Sequence, residues 1–203
     1  MNLSSENPRF RQAIALFDAA NASDPNLEDE GGQLRPKELL YAERMSAMLR
    51  RFAPEASEAV QLAVRAQHIK RWTVPRNTYP MTPVGYKQWR TGLYQFHAET
   101  AGTLMREAGY DDATVAQVMK IVAKKGIKAN PETQLMEDVV ALVFLEYYMT
   151  AFAAQHPEYD EAKWCDIVRK TWLKMSARGR EFALSGSIRL PPDLTPLILK
   201  AIE

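Results

Sequence analysis

The sequence predicts an all-α fold, a single helical domain spanning residues 1–203. Three observations carry that prediction. Apolar residues recur at helical spacing, as in Phe10, Ile14 and Phe17. Starting and stopping residues punctuate the stripes: Pro36, Asn130-Pro131 and Asp160 at starts, Gly109 and Gly126 at ends. No alternating apolar and polar run flanked by hairpin signals is found.

Each element follows from these signals. A first helix is predicted over Pro8 to Ala22. Asn21 to Arg35 holds Asp24-Pro25, an acidic cluster and Gly31-Gly32, and reads as a loop. Pro36 opens a helix to about Phe52, and Pro54 to Trp72 carries another stripe through Ala56, Ala59, Val60, Ala63, Val64 and Gln67. Three prolines between Val74 and Pro83 predict an ordered, non-helical connection. A long helix then runs from Val84 or Tyr86 to Ala108, and a shorter one from Asp111 or Asp112 to about Lys125. Asn130-Pro131 opens the most apolar helix, to about Gln155, read as the central core helix. Asp160 to Ala177, a short piece to Ser185 and a turn or helix from Pro192 complete the chain.

Composition narrows the function classes. Hydrophobic residues are 46% and charged residues 25%, which excludes a disordered chain. The one cysteine, Cys165, excludes an intramolecular disulfide and a Cys-rich zinc site, and it reads as a packed residue. Met1 to Arg11 lacks the apolar stretch of a signal peptide. The longest apolar run, Val139 to Leu145, falls far short of the roughly 20 residues a membrane span needs. The expectation is a soluble, cytoplasmic protein with no membrane partner.

The net charge of +1 hides an uneven distribution. Residues 59 to 98 contain no Asp or Glu but hold Arg65, Lys70, Arg71, Arg76, Lys87 and Arg90, a formal +6 that leaves −5 for the rest. His68, His97, Trp72, Tyr79, Tyr86, Trp89, Tyr94 and Phe96 lie in the same stretch. Arginines among aromatic rings suit phosphate clamps and planar anions. Trp72, Tyr79 and Trp89 are the candidate aromatic pocket. Two readings stand open, an anion-facing site and pairing of these bases with acids elsewhere in the fold.

His68, His97 and Asp138 come from three different predicted helices. Two imidazoles and a carboxylate suit a divalent metal, which would generate hydroxide and hold a phosphate oxygen. Each also has a plainer reading: a packed or surface histidine, and for Glu137-Asp138 a charge effect at a helix N-terminus. Neither GxxxxGK[ST], GxGxxG nor GxSxG occurs.

Several phrases together are similar to the marks of a domain-of-unknown-function family of bacterial and fungal proteins. They are Pro36-Lys37-Glu38-Leu39-Leu40-Tyr41-Ala42, Ala66-Gln67-His68-Ile69-Lys70-Arg71-Trp72, Pro75-Arg76 with Tyr79-Pro80-Met81, Gly85-Tyr86 with Trp89-Arg90, Glu137-Asp138-Val139-Val140 with Val143-Phe144-Leu145-Glu146, and Lys170-Thr171-Trp172 with Lys174-Met175-Ser176. More distantly, the order of elements resembles HD-domain metal-dependent phosphohydrolases, which implies an orthogonal helix bundle. In that resemblance Gln67 and His68 stand where a His-Asp pair would be, and Tyr41 or Arg44 stands near the first His. Asp138 resembles the final Asp, and His97 an additional His.

The resemblance and the residues together lead to a divergent HD-like, metal-dependent hydrolase acting on a phosphorylated small molecule or nucleotide. His68, His97 and Asp138 would hold a divalent metal ion, and Arg44, Arg65, Arg71, Arg76 and Arg90 the anion. The alternative is a non-catalytic binder of an anionic ligand through residues 59–98. Nucleic-acid binding ranks below both.

Overall fold

The stripes and caps fold into ten α-helices and one short hairpin among the described residues, 7–202, of the computed structural model. The fold is all-α, as predicted. The chain divides into two compact units, Met1–Thr133 and Gln134–Glu203. The boundary falls inside a helix, so no linker composition marks it in the sequence.

In the first unit, α1 (Pro8–Ala22) begins where Asn7 accepts a hydrogen bond from the Arg9 N–H. The segment predicted as a plain loop contains a hairpin, β1 (Leu27–Glu30) against β2 (Gln33–Pro36). Its turn is Gly31-Gly32, with φ of +64° and +88°, the left-handed pair that a tight two-residue hairpin turn requires. Both strands are only four residues long and mostly polar, so the alternation that betrays a strand is missing.

Helix α2 (Lys37–Phe52) follows directly. Pro36 offers no side-chain cap, and buried Asp24 supplies one from the preceding loop by accepting from the Glu38 N–H at 3.0 Å. Helix α3 (Glu58–Ala66) is capped by Ser57. It ends six residues before the Trp72 expected from the stripe. Lys70 has a left-handed backbone (φ 52°), and its N–H donates to the side-chain carbonyl of Asn21 at 3.0 Å. That turn breaks the helical ladder and redirects His68 and Arg71.

The proline-rich connection, expected to be ordered and non-helical, contains one 3₁₀ turn, Arg76–Thr78. The Arg76 guanidinium donates to the carbonyls of Tyr79, Pro80 and Thr82. Gly85 lets the Pro80 carbonyl approach so closely that a Cβ would lie 2.1 Å from its oxygen. Helices α4 (Pro83–Glu107) and α5 (Asp112–Val122) close the unit. Its core is built from Phe17, Leu40, Met45, Leu62, Ile69, Met105 and Ile121, all fully buried.

Helix α6 (Pro131–Val143) carries the chain across the boundary. The long helix expected to Gln155 is interrupted by a π-helical turn, Phe144–Tyr148, before α7 (Met149–Ala154). In the second unit α8 (Glu161–Lys174) packs on α10 (Thr195–Ile202), and α9 (Ala177–Leu184) lies between them in sequence. Cys165 is a half-buried free thiol on α8. No helix among the described residues is long and apolar enough to cross a membrane.

Asp138 fastens this unit. One of its carboxylate oxygens accepts from the Ser176 N–H at 2.7 Å and from the Gln134 amide at 3.0 Å, and the other from the Ser176 hydroxyl at 2.5 Å. Ser176 in turn caps α9, and Gly179 leaves room for the carboxylate, since a Cβ there would lie 2.9 Å from its carbon. Removing the acceptor leaves the part-buried donors of Ser176 and Gln134 unmet. Asp138→Ala is therefore expected to lower stability by about 1–3 kcal/mol, read from the denaturant midpoint. An unchanged midpoint would contradict the structural role.

Candidate functional site

The site forms in the first unit, where α2, the turn after α3 and α4 bring four charged or titratable side chains together. Glu38 sits in the first turn of α2, with 9% of its side chain exposed. His68 lies across from it, with Nδ1 3.2 Å from the Glu38 carboxylate. Arg71, one turn on, places Nη1 3.2 Å from His68 Nε2 and Nε 4.0 Å from the other Glu38 oxygen. His97 comes from the middle of α4, its ring centroid 5.9 Å from that of His68.

Packing fixes these groups. The His68 ring stacks on Tyr41 at 4.1 Å, and the Tyr41 hydroxyl donates to Gln67. The Arg71 guanidinium lies over the Trp89 ring, 4.9 Å from its centroid. Trp89 is held by a hydrogen bond from its indole N–H to the Val74 carbonyl. His97 Nδ1 is 2.8 Å from the Ile69 carbonyl.

The hydrogen bonds assign the protons. A guanidinium only donates, so His68 Nε2 is the acceptor and Nδ1 carries the proton toward Glu38. A carbonyl only accepts, so His97 Nδ1 carries its proton and Nε2 bears a lone pair. Burial pushes the His68 pKa well below 6.5, and the Arg71 and Lys124 charges push the same way. Burial, followed by His68, lowers His97 to about 3. Burial raises the Glu38 carboxyl, against the pull of Arg71 and Lys37. Both imidazoles are neutral at neutral pH. His97 Nε2 is buried and has no hydrogen-bond partner among the described residues.

The other predicted site residues have partners inside the fold. Arg65 forks onto Asp18 with two 2.7 Å bonds. Arg44 pairs with Glu28 and Glu30 on the hairpin. Arg76 is spent on the three carbonyls of its loop, and Arg90 donates to the Tyr94 hydroxyl at 2.5 Å. Of the aromatic set, Trp89 lies under Arg71, Tyr79 reaches over Gly92, and Trp72 is half-buried beside the turn. Asp138 is engaged by Ser176 and Gln134 within the second unit. Among the described residues no group of three or more His, Cys, Asp or Glu is arranged to hold a metal ion.

Glu38 was not among the residues the sequence singled out. An acid in the first turn of a helix reads as a dipole effect. The available signal was its i, i+3 spacing to Tyr41, which puts both on the face that meets His68.

The chain belongs to the family described as Domain of unknown function (DUF4202), whose model matches residues 11–198. Comparison with curated proteins and with solved structures gave no match.

The neutral His97 makes a signed prediction. Below about pH 6.5 the unfolded chain takes up a proton that native His97 refuses until about pH 3. Its contribution is present above 6.5 and is lost as pH falls through that window, whereas the raised Glu38 carboxyl acts in the opposite sense above about 4.5. Comparing wild type with His97→Gln isolates the histidine. The stability gap should narrow on acidification, by up to about 1.4 kcal/mol per pH unit. A gap that is constant with pH would contradict the assignment.

Proposed function

We propose that the chain binds a small anionic molecule, best a phosphate ester, at the cluster of Arg71, His68 and His97. One observation carries the reading. Arg44, Arg65 and Arg76 are closed on acids or carbonyls at short range, whereas Arg71 meets a neutral imidazole, the face of Trp89 and a carboxylate 4.0 Å away. Its side chain keeps 31% of its surface exposed. A guanidinium stacked on an indole, with donors left over, suits a tetrahedral oxyanion. The same pairing of the other arginines argues against a nucleic-acid track, which needs its bases presented to the backbone.

A second reading, the HD-like metal-dependent phosphohydrolase, is favoured by the two Nε2 acceptors. His68 Nε2 and His97 Nε2 would hold the metal, and a bound metal would supply an activated water. The Glu38–His68 pair has the proton placement of a carboxylate that orients a ligating imidazole. Against it, His68 Nε2 is covered by Arg71, and Asp138 spends both oxygens on Ser176 and Gln134. The simpler anion site therefore stands first. The HD-like arrangement and a cytoplasmic setting, consistent with the lone Cys165, belong to this proposal.

Thermal unfolding tests it. A phosphate ester should raise the wild-type midpoint, by about 2–4 °C for each kcal/mol of binding linkage, with and without chelator. Arg71→Ala should abolish the rise. A wild-type midpoint indifferent to phosphates would sink the proposal, and a rise that needs metal and vanishes with chelator would transfer support to the hydrolase reading.

A further inference from the structure

We infer that the site takes a hydroxylated phosphate ester, one that offers an O–H donor beside its phosphate, such as a sugar phosphate. This rests on the reading of Arg71 as an anion contact and adds what His97 demands. His97 is 2% exposed, and its Nδ1–H is committed to the Ile69 carbonyl. That leaves Nε2 as a bare acceptor, buried and without a partner among the described residues. Buried polar atoms are almost always satisfied, so an unmet one marks a missing group.

The missing group has to be a donor. A fully ionised phosphate has only acceptor oxygens and would face the His97 lone pair with like polarity. His68 cannot relieve this, because Arg71 occupies its Nε2 and Glu38 its Nδ1. Phe96, edge-on to His97 with centroids 5.6 Å apart, offers no proton. The neighbouring rings lie 5.9 Å apart, and Arg71 is in contact with one of them. A single small molecule carrying both groups would place its phosphate on Arg71 and its hydroxyl on His97. Specificity built on such a hydroxyl is sharp, since an analogue lacking it leaves the buried nitrogen unmet.

The test compares ribose 5-phosphate with methyl phosphate by calorimetric titration of the full chain. At about pH 8, two units above the second phosphate pKa of about 6, neither phosphate carries a proton of its own. Ribose 5-phosphate is expected to bind about tenfold more tightly, the worth of one hydrogen bond. His97→Phe, which carries no acceptor, should remove that preference, so that the two phosphates bind with equal affinity. The ¹⁵N resonance of His97 Nε2 gives a second readout that needs no variant, and should move with ribose 5-phosphate only. Equal affinities with an unmoved resonance would overturn the inference and leave the anion site standing. Failure of both phosphates to bind would overturn both. A resonance that moves on adding chelator alone would identify a metal as the partner and overturn the hydroxyl assignment.

Discussion

A carboxyl group buried in the first turn of a helix has to be met by donors, and much of the first unit is arranged to meet Glu38. Its own N–H is capped from a distance by Asp24, because Pro36 cannot do it. Its oxygens face the His68 Nδ1–H and the Arg71 guanidinium. Those two residues reach it only because α3 stops at Ala66 and Lys70 takes a left-handed turn held by Asn21. The same turn presents the Ile69 carbonyl to His97. One buried acid thus sets the tautomer of the first histidine, and the turn built around it sets that of the second.

The chemical consequence is a cluster of neutral imidazoles beside a cation. Burial disfavours charge on both rings, and Arg71 adds to the effect. Arg71 stands out in the basic stretch by combining a stacked position on Trp89 with a carboxylate partner, Glu38, no nearer than 4.0 Å. In the proposed reading an anion contact and an unmet acceptor sit side by side, which favours a ligand with two kinds of polar group over a simple ion.

Much of the helical frame was legible because it rests on local signals. Pro8, Asn130-Pro131 and Asp160 start helices where the sequence places them. Gly109, at φ +85°, ends α4 as expected. What escaped notice depends on groups distant in sequence. The hairpin has short polar strands, and only Gly31-Gly32 hinted at it. The early end of α3 is imposed by Asn21, which lies 49 residues before Lys70. The closeness of His68 and His97 could not be derived from spacing, although both were singled out by type. The fate of the arginines was likewise hidden, because Asp18, Glu28 and Glu30 approach them only through tertiary packing.

The central claim is that Arg71 is the anion contact of this fold. Crystals of the full chain soaked in tungstate, an oxyanion with the shape of phosphate, test it most directly by anomalous diffraction at the tungsten edge. The account predicts an anomalous peak within hydrogen-bond reach of the Arg71 guanidinium. Tungstate bound only at exposed lysines, with nothing at Arg71, would contradict it.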